Sequence, residues 1–201
     1  MKKLILASGS PRRKEILNNM GLNFEVMVSS ADEGSVDSAK LPVGVYVQEL
    51  ALLKASAVAK SVACRDALII SADTVVACDG KILGKPKDAE DAFSMLKSLS
   101  GKCHSVFTGI CVMRTKDAYS VCAAEETKVY FKELSDERIQ HYVETKEPMD
   151  KAGAYGIQGK GCLLVKGIDG DYLNVVGLPA ARLAEILEKD FNFDVFKGEC
   201  K

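Results

Sequence analysis

The stretch at residues 8–17, which reads SGSPRRKEIL, constrains the fold more than any other part of the chain. The apolar run at 4–7 precedes it, and a Ser-Gly pair follows that run directly. Ser10 and Pro11 then occupy positions suited to the N-cap and the first turn of a helix. The sequence therefore predicts a strand, a tight loop and a helix start in direct succession.

The first turn of this predicted helix has an unusual charge. Helix first turns normally carry acidic side chains because the helix dipole is positive there, but this one carries Arg12, Arg13 and Lys14. An anion at the helix N-terminus, held by backbone N–H groups and guanidinium groups, would explain the basic side chains. The alternative is a solvated basic patch on an ordinary helix. The strand and the Ser-Gly loop favour a phosphate-binding site.

Length and charge limit the class of protein. With 201 residues and 47% apolar residues, the chain fits one domain or two small lobes with a substantial core. The net charge of -1 provides no general attraction to nucleic acid or to a membrane. The apolar run near the N-terminus is too short for a signal peptide, and no stretch could span a bilayer. We expect a cytoplasmic protein that binds neither nucleic acid nor membrane.

Cysteine and histidine spacing gives no metal motif. The seven cysteines include no CxxC pair and no spacing typical of zinc sites. His104 and His141 are far apart in sequence, and neither has a second ligand at helical spacing. We interpret the cysteines as reduced thiols and His104 as structural.

Hydrophobic periodicity predicts the fold class. The predicted strands are 24–28, 67–78, 81–83, 105–113 and 119–131, and the predicted helices begin at Ser10, Pro42, Asp88, Ser135 and Pro179. The helix that begins at Pro42 is predicted to continue to about residue 63, and 147–161 reads as a glycine-rich loop. Apolar segments at 162–165 and 172–176 flank a predicted turn. Strands and helices alternate early and hairpins follow, which predicts a mixed-sheet α/β protein with two lobes and a cleft.

Two charged residues interrupt apolar patterns. Lys54 falls within the apolar stripe of its helix, four residues after Leu50 and three before Ala57. An interior lysine needs an anionic partner, whereas a lysine whose stem extends to solvent does not. Asp73 interrupts the most hydrophobic strand, where a carboxylate must be paired, hydrogen-bonded or placed on a cleft or metal. It is the best catalytic candidate, and a structural aspartate bonded to loop N–H groups is the alternative.

Three other features are candidate ligand contacts. Glu33 lies in the polar loop after the second strand, where it is either solvated or converges with Asp73 on a divalent ion. Lys85 lies in a short loop after a hairpin and is either a phosphate-binding ammonium or a surface lysine. The segment 150–159 combines a charged pair, an aromatic ring and an amide among glycines, which suggests a closely approached ligand. Its Tyr155 is alternatively part of the core.

Six motifs together make the chain resemble the Maf family of nucleotide pyrophosphatases, in a collinear match over nearly the whole chain. They are SGSPRRKEIL at 8–17, SADT at 71–74, LGKP at 83–86, LSGKCHSVFTG at 99–109, EPMDKAGAYGIQG at 147–159 and NVVGLP at 174–179. The resemblance implies a single catalytic domain over residues 1–201, with an α/β cleft architecture like that of inosine triphosphate pyrophosphatases. It also implies a cytoplasmic homodimer that requires a divalent metal cation, Mg or Mn.

The resemblance assigns roles residue by residue. It implies that Asp73 is the general base and that Arg12, Thr74 and Gln158 determine specificity. The implied substrate-binding residues are Ser8, Ser10, Arg12, Arg13, Glu33, Lys54, Thr74, Lys85 and Gln158, and the implied metal-binding residues are Glu33 and Asp73.

The implied reaction is hydrolysis of dTTP and UTP to the monophosphate and pyrophosphate, because the loop at 150–159 resembles the dTTP and UTP branch rather than the 7-methyl-GTP branch. Two alternatives are a pyrophosphatase for modified or non-canonical nucleotides and a nucleotide-binding regulator of septation or division that does not hydrolyse its ligand.

Overall fold

The structure is a computed structural model that describes residues 3–62 and 66–200. Its α-helices are α1 (Pro11–Asn19), α2 (Val43–Ser61), α3 (Ala89–Leu99), α4 (Asp136–Glu144), α5 (Tyr172–Val176) and α6 (Ala180–Phe191). Its strands are β1 (Lys3–Leu6), β2 (Phe24–Val26), β3 (Ala67–Cys78), β4 (Lys81–Leu83), β5 (Cys103–Arg114), β6 (Ser120–Phe131), β7 (Val165–Asp169), β8 (Phe193–Asp194) and β9 (Glu199–Cys200). The last residue predicted for the second helix, Ala63, lies outside the described residues.

One mixed sheet contains most of the described strands. Its strand order is β2-β1-β3-β5-β6-β7, with β4 paired to β3. Strand β1 is parallel to both of its neighbours, with Leu4 opposite Phe24 on one side and Leu68 on the other. Strand β4 is antiparallel to β3, and β7 is antiparallel to β6. The predicted mixed-sheet α/β class is therefore confirmed.

The chain divides into two compact units, and the first contains residues 1–73, 108–125 and 177–201. Its core includes Ile5 of β1, Ala51 and Val58 of α2, and Ile69 of β3, each less than 5% exposed. Helix α2 turns one apolar side toward these strands because its apolar residues recur every three to four positions.

Two contacts fix α2 against the strands of this unit. A Cβ atom at Gly109 of β5 would lie 2.2 Å from the carbonyl oxygen of Val47, so only a residue without a side chain permits this approach. The Ser71 hydroxyl of β3 donates a hydrogen bond of 2.6 Å to the carbonyl oxygen of Ala51. This hydrogen bond holds α2 at Ala51, which lies about one turn before Lys54.

The second unit contains residues 74–107 and 126–176. Its core includes Leu96 of α3, Ile139 of α4 and Phe131 of β6. Tyr155 is 4% exposed, and its ring packs edge-on against those of Phe131 and His104. Tyr155 therefore belongs to the core, and His104, 3% exposed and 2.8 Å from the Tyr155 hydroxyl, is structural as predicted.

The glycine-rich segment has more local order than its sequence indicates. Residues 147–164 form a series of short 3₁₀ turns, and α5 follows the predicted turn, so the apolar segment at 172–176 is helical. Buried Asn174 fixes α5 because its amide donates to the Val106 carbonyl and to the Thr127 hydroxyl, both at 3.0 Å. No helix among the described residues is both long enough and apolar enough to cross a membrane.

Candidate active site

The loop between β1 and α1 is held by a side chain of the helix that follows it. Ser10 is the N-cap residue of α1 and Pro11 occupies the first turn, as predicted. The Ser10 side chain makes no cap hydrogen bond. Arg13 reaches back from the first turn, where its Nε donates to the carbonyl oxygen of Gly177 at 2.8 Å and its Nη1 donates to the Ser8 hydroxyl at 3.1 Å.

The hydrogen bonds around Ser8 orient its hydroxyl. Ser8 Oγ accepts from Arg13 Nη1 and from the backbone N–H of Ser10, at 3.1 and 3.3 Å. A hydroxyl oxygen has two acceptor positions, so these two bonds use both of them. The Ser8 proton is therefore left to be donated, which suits a hydroxyl that binds an anion.

The first turn of α1 concentrates positive charge close to carboxylates. It contains no acidic residue, and it carries Arg12 and Arg13. Burial lowers the pKa of the Arg13 guanidinium, and Asp73 opposes this shift, whereas Arg12 reinforces it and Glu33 opposes it. Arg12, Asp73 and Glu33 are therefore each within electrostatic reach of Arg13, in the first unit.

Lys54, Asp73 and Glu33 form an ion triad. Lys54 Nζ lies 2.6 Å from Asp73 Oδ1 and 3.0 Å from Glu33 Oε1. The Lys54 and Asp73 side chains are each 12% exposed, and Glu33 is 55% exposed. Of the two alternatives for Lys54, the structure has the interior lysine with an anionic partner.

The secondary structure explains how this triad is assembled. Asp73 lies two residues after Ser71 in β3, so both side chains extend from the same face of the strand. Lys54 follows Ala51 by three residues in α2, about one helical turn. Because Ser71 donates to the Ala51 carbonyl, one hydrogen bond sets the distance between the elements that carry Lys54 and Asp73.

Tyr46 is a residue of this site that the sequence interpretation missed. Burial raises the pKa of the Tyr46 hydroxyl, and the negative charges of Asp73 and Glu33 raise it further. Tyr46 precedes Lys54 by eight residues in α2, which places the two side chains roughly 80° apart around the helix axis. The signal that could have identified Tyr46 is a tyrosine within about a quarter turn of Lys54 in a mostly apolar helix.

The triad is chemically suited to a divalent cation. Glu33 and Asp73 converge on one positive charge, and both offer carboxylate oxygens, which Mg²⁺ and Mn²⁺ prefer. Within the described residues, no cluster of three or more His, Cys, Asp or Glu side chains has the arrangement of a metal site. Mg²⁺ commonly binds one or two carboxylates together with substrate phosphates and water, so two carboxylates fit such an ion.

The remaining predicted site residues lie in the second unit. Thr74 follows Asp73 in β3 and is partly exposed, Lys85 is exposed in the loop after β4, and Gln158 is partly exposed. The loop that carries Lys85 contacts the glycine-rich segment, because Gly153 N–H donates to the Gly84 carbonyl at 2.9 Å. The structure thus groups Ser8, Arg13, Glu33, Lys54 and Asp73 in one unit and Thr74, Lys85 and Gln158 in the other.

Comparison with known proteins gives consistent matches over nearly the whole chain. The family model described as "Maf-like protein" matches residues 3–190. A dTTP/UTP pyrophosphatase from Acetivibrio thermocellus is 54% identical over 98% of this chain and 99% of its own. Proteins of the same name from Thermoanaerobacter sp. and Alkaliphilus metalliredigens are 52% and 50% identical, over 94% and 97% of this chain and 97% and 100% of theirs.

Proposed function

The chain belongs to the family of Maf-like proteins, and from that premise we propose that it is a nucleoside triphosphate pyrophosphatase that hydrolyses dTTP and UTP. The observation that carries the reaction type is the triad of Lys54, Asp73 and Glu33, within electrostatic reach of the basic first turn of α1. Relatives at 50 to 54% identity that are named dTTP/UTP pyrophosphatases support the choice of substrate.

The proposed reaction is an attack of water on the triphosphate. An O–P bond forms between water and either the α-phosphorus or the β-phosphorus. The bond between that phosphorus and the oxygen that bridges the α- and β-phosphates breaks, and the products are the monophosphate and pyrophosphate. Asp73 accepts the proton that water loses, as a general base. Lys54 holds the Asp73 carboxylate in place through the 2.6 Å ion pair.

Basic and hydroxyl groups would bind the phosphates and neutralise the charge that develops on the leaving group. The Ser8 hydroxyl is oriented as a donor by its contacts with Ser10 and Arg13. The other proposed phosphate ligands are Ser10, Arg12, Arg13, Lys54 and Lys85. Preorganised donors of this kind lower the barrier because they need no reorientation during the reaction.

Glu33 and Asp73 would hold the divalent cation, Mg²⁺ or Mn²⁺. When bound, such an ion supplies Lewis-acid stabilisation of charge on phosphate oxygens. Their convergence on Lys54 is the observation that supports this assignment.

Gln158 is the proposed reader of the base. A glutamine amide offers one donor and one acceptor in a plane, and uracil and thymine offer an N–H beside a carbonyl. Cytosine has an acceptor and an amino group at the same positions, so a fixed amide would leave buried polar groups unpaired. Such mismatches give selectivity of about 10⁴ or more, whereas the thymine methyl group contributes only about 1 to 3 kcal/mol. Thr74 and Arg12 are the other proposed specificity residues.

We expect residues 1–201 to act as one catalytic domain, and the span of the family model over residues 3–190 supports this. We also expect a cytoplasmic homodimer that does not bind nucleic acid. Light scattering coupled to size-exclusion chromatography measures the oligomeric state, and the expected mass is twice that of the chain.

A panel of natural and modified nucleoside triphosphates, assayed with Mg²⁺ and then with Mn²⁺, tests the function. We expect UTP and dTTP to have specificity constants far above that of CTP, and Gln158→Ala to lose that preference more than it loses phosphate affinity. Comparable constants for CTP and UTP would contradict the role of Gln158. A preference for a modified base, or binding without hydrolysis, would contradict the proposed substrate or reaction.

A further inference from the structure

The segment that carries Gln158 is a closed loop of residues 156–161. A Cβ atom at Gly161 would lie 2.1 Å from the carbonyl oxygen of Gly156, so the two ends of the loop are in direct backbone contact. Gln158 lies between these ends, and its side chain is partly exposed. The position of the Gln158 amide therefore depends on what holds the base of the loop.

Glu147 holds one end of the loop. Its carboxylate accepts the backbone N–H of Lys160 through Oε2 and that of Gly161 through Oε1, both at 3.0 Å. Hydrogen bonds to a charged acceptor are about twice as strong as those between neutral groups. The two residues that close the loop after Gln158 are thus bonded to one side chain.

Tyr142 of α4 holds the other end. Its hydroxyl donates to Glu147 Oε1 at 3.0 Å and accepts the backbone N–H of Gly156 at 3.3 Å. Burial raises the pKa of the Tyr142 hydroxyl, so the phenol remains neutral and retains the proton that it donates. One network therefore connects the residues on both sides of Gln158 to α4.

Glu147 is itself fixed from outside the loop. Its backbone carbonyl accepts from Lys151 Nζ at 2.6 Å, and its backbone N–H donates to the Thr145 hydroxyl at 3.2 Å. The same Lys151 ammonium pairs with Asp150 at 2.6 Å, and the Lys151 side chain is only 14% exposed. The carboxylate of Glu147 thus starts from an anchored backbone.

We propose that Glu147 and Tyr142 are positioning residues for base selection, which hold loop 156–161 so that the Gln158 amide is presented to the base in one orientation. This inference rests on the proposed function. A fixed amide rejects cytosine because it cannot exchange its donor and acceptor, whereas a mobile loop allows the amide to turn over and accept either base. Neither residue needs to contact the nucleotide.

Glu147→Gln tests the proposal because it keeps the size of the side chain but places an amide NH₂ where a carboxylate oxygen accepts. Glu144→Gln is the matched control, since Glu144 lies in α4, is exposed, and contacts Gln140 rather than the loop.

Loss of one hydrogen bond between Glu147 and the loop corresponds to roughly a tenfold effect. We expect the ratio of kcat/KM for UTP to that for CTP to fall by at least about tenfold in Glu147→Gln. The KM for UTP should rise while kcat changes by less than about threefold, because the reacting groups are untouched. Glu144→Gln should match the unmodified protein.

Hydrogen exchange provides a readout that is independent of the catalytic assay, and a double-mutant cycle shows whether the variants act through the same amide. In the nucleotide-free protein, the amides of Lys160 and Gly161 should exchange faster in Glu147→Gln and keep their rates in Glu144→Gln. Tyr142→Phe, which removes only the hydroxyl, provides a second variant if Glu147→Gln does not fold. Either change, combined with Gln158→Ala, should have no further effect on base preference, since all three act through the same amide.

The outcomes separate this proposal from the proposed function. If the unmodified protein prefers UTP to CTP and Glu147→Gln keeps that preference while its amides exchange faster, the positioning role is overturned. Additive effects of Glu147→Gln and Gln158→Ala on base preference would also overturn it. If the unmodified protein shows no preference for UTP, the assignment of Gln158 fails first and the positioning role fails with it.

Discussion

Lys54 Nζ and Asp73 Oδ1 lie 2.6 Å apart, in a pair whose side chains are each 12% exposed. Removing Lys54 leaves the nearly buried Asp73 carboxylate without its ion-pair partner, and breaking a buried pair in this way typically costs about 3 to 5 kcal/mol of folding free energy. This relationship connects the stability of the protein to its proposed chemistry.

The first prediction therefore concerns Lys54→Met. We expect it to lower the free energy of unfolding at pH 7 by about 3 kcal/mol, measured by urea denaturation. Lys60→Met, on an exposed part of the same helix, should change it by less than about 0.5 kcal/mol. Adding Asp73→Asn to Lys54→Met should recover part of the loss, since the uncompensated charge is removed. No recovery would show that Lys54 stabilises the fold by packing alone.

The second prediction separates catalysis from binding at Asp73. At a saturating concentration of metal, Asp73→Asn should reduce turnover by roughly 10² to 10⁴ while nucleotide affinity changes little, because general-base catalysis contributes about that much. Asp79→Asn, in the exposed turn after the same strand, is the control. Steady-state kinetics and isothermal titration with a non-hydrolysable nucleotide measure the two quantities. Near-normal turnover in Asp73→Asn would make Asp73 structural.

The third prediction concerns stability in acid. Burial lowers the pKa of His104 from 6.5 to about 4, and its Nδ1 has no hydrogen-bond partner among the described residues. Between these two pH values the unfolded chain binds a proton that the folded protein excludes, so stability falls as the pH falls from 6.5 towards 4. The full loss in the free energy of unfolding is about 3 kcal/mol.

Urea denaturation at a series of pH values measures this effect. His104→Gln should show a shallower loss of stability between pH 6.5 and pH 4 than the unmodified protein does. His141→Gln, which changes the exposed histidine of α4, should leave the pH dependence unchanged. Parallel curves for His104→Gln and the unmodified protein would mean that His104 does not remain neutral in the fold.

The fourth prediction concerns removal of the metal. Chelation with EDTA should abolish UTP hydrolysis, and addition of Mg²⁺ or Mn²⁺ should restore it, because Glu33, Asp73 and the triphosphate are all negatively charged and need a cation between them. Glu33→Gln should raise the metal concentration that gives half-maximal activity, whereas Glu15→Gln, on the exposed side of α1, should not. Full activity in EDTA would exclude the proposed metal requirement.

Local sequence signals predicted many of the elements. Ser10 and Pro11 mark the start of α1 because capping and proline geometry depend on neighbouring residues alone. The continuous apolar run predicted all of β3 because a strand buried on both faces needs no polar alternation. The interior position of Lys54 was one of two alternatives, since helical periodicity gives the side of the helix but not the partner.

These local signals could not predict contacts between residues that are far apart in sequence. Arg13 donates to Gly177, which is 164 positions away, and nothing local to either residue indicates the other. The apolar segment at 172–176 carries no cap or period that distinguishes a short helix from a strand, and buried hydrogen bonds of Asn174 decide its conformation. Glu147 appears in sequence as an ordinary loop glutamate, because the hydroxyl and the backbone N–H groups that donate to its carboxylate converge on it only after the loop has closed.

Phosphorus NMR during UTP turnover identifies which phosphate bond the protein breaks. With the unmodified protein and Mg²⁺, we predict that the resonances of UTP are replaced in equal molar amounts by those of UMP and pyrophosphate, and that Asp73→Asn shows the same products at a rate lower by roughly 10² to 10⁴. Release of orthophosphate and UDP, or an unchanged UTP spectrum at protein concentrations that bind the nucleotide, would contradict a pyrophosphate-releasing hydrolase.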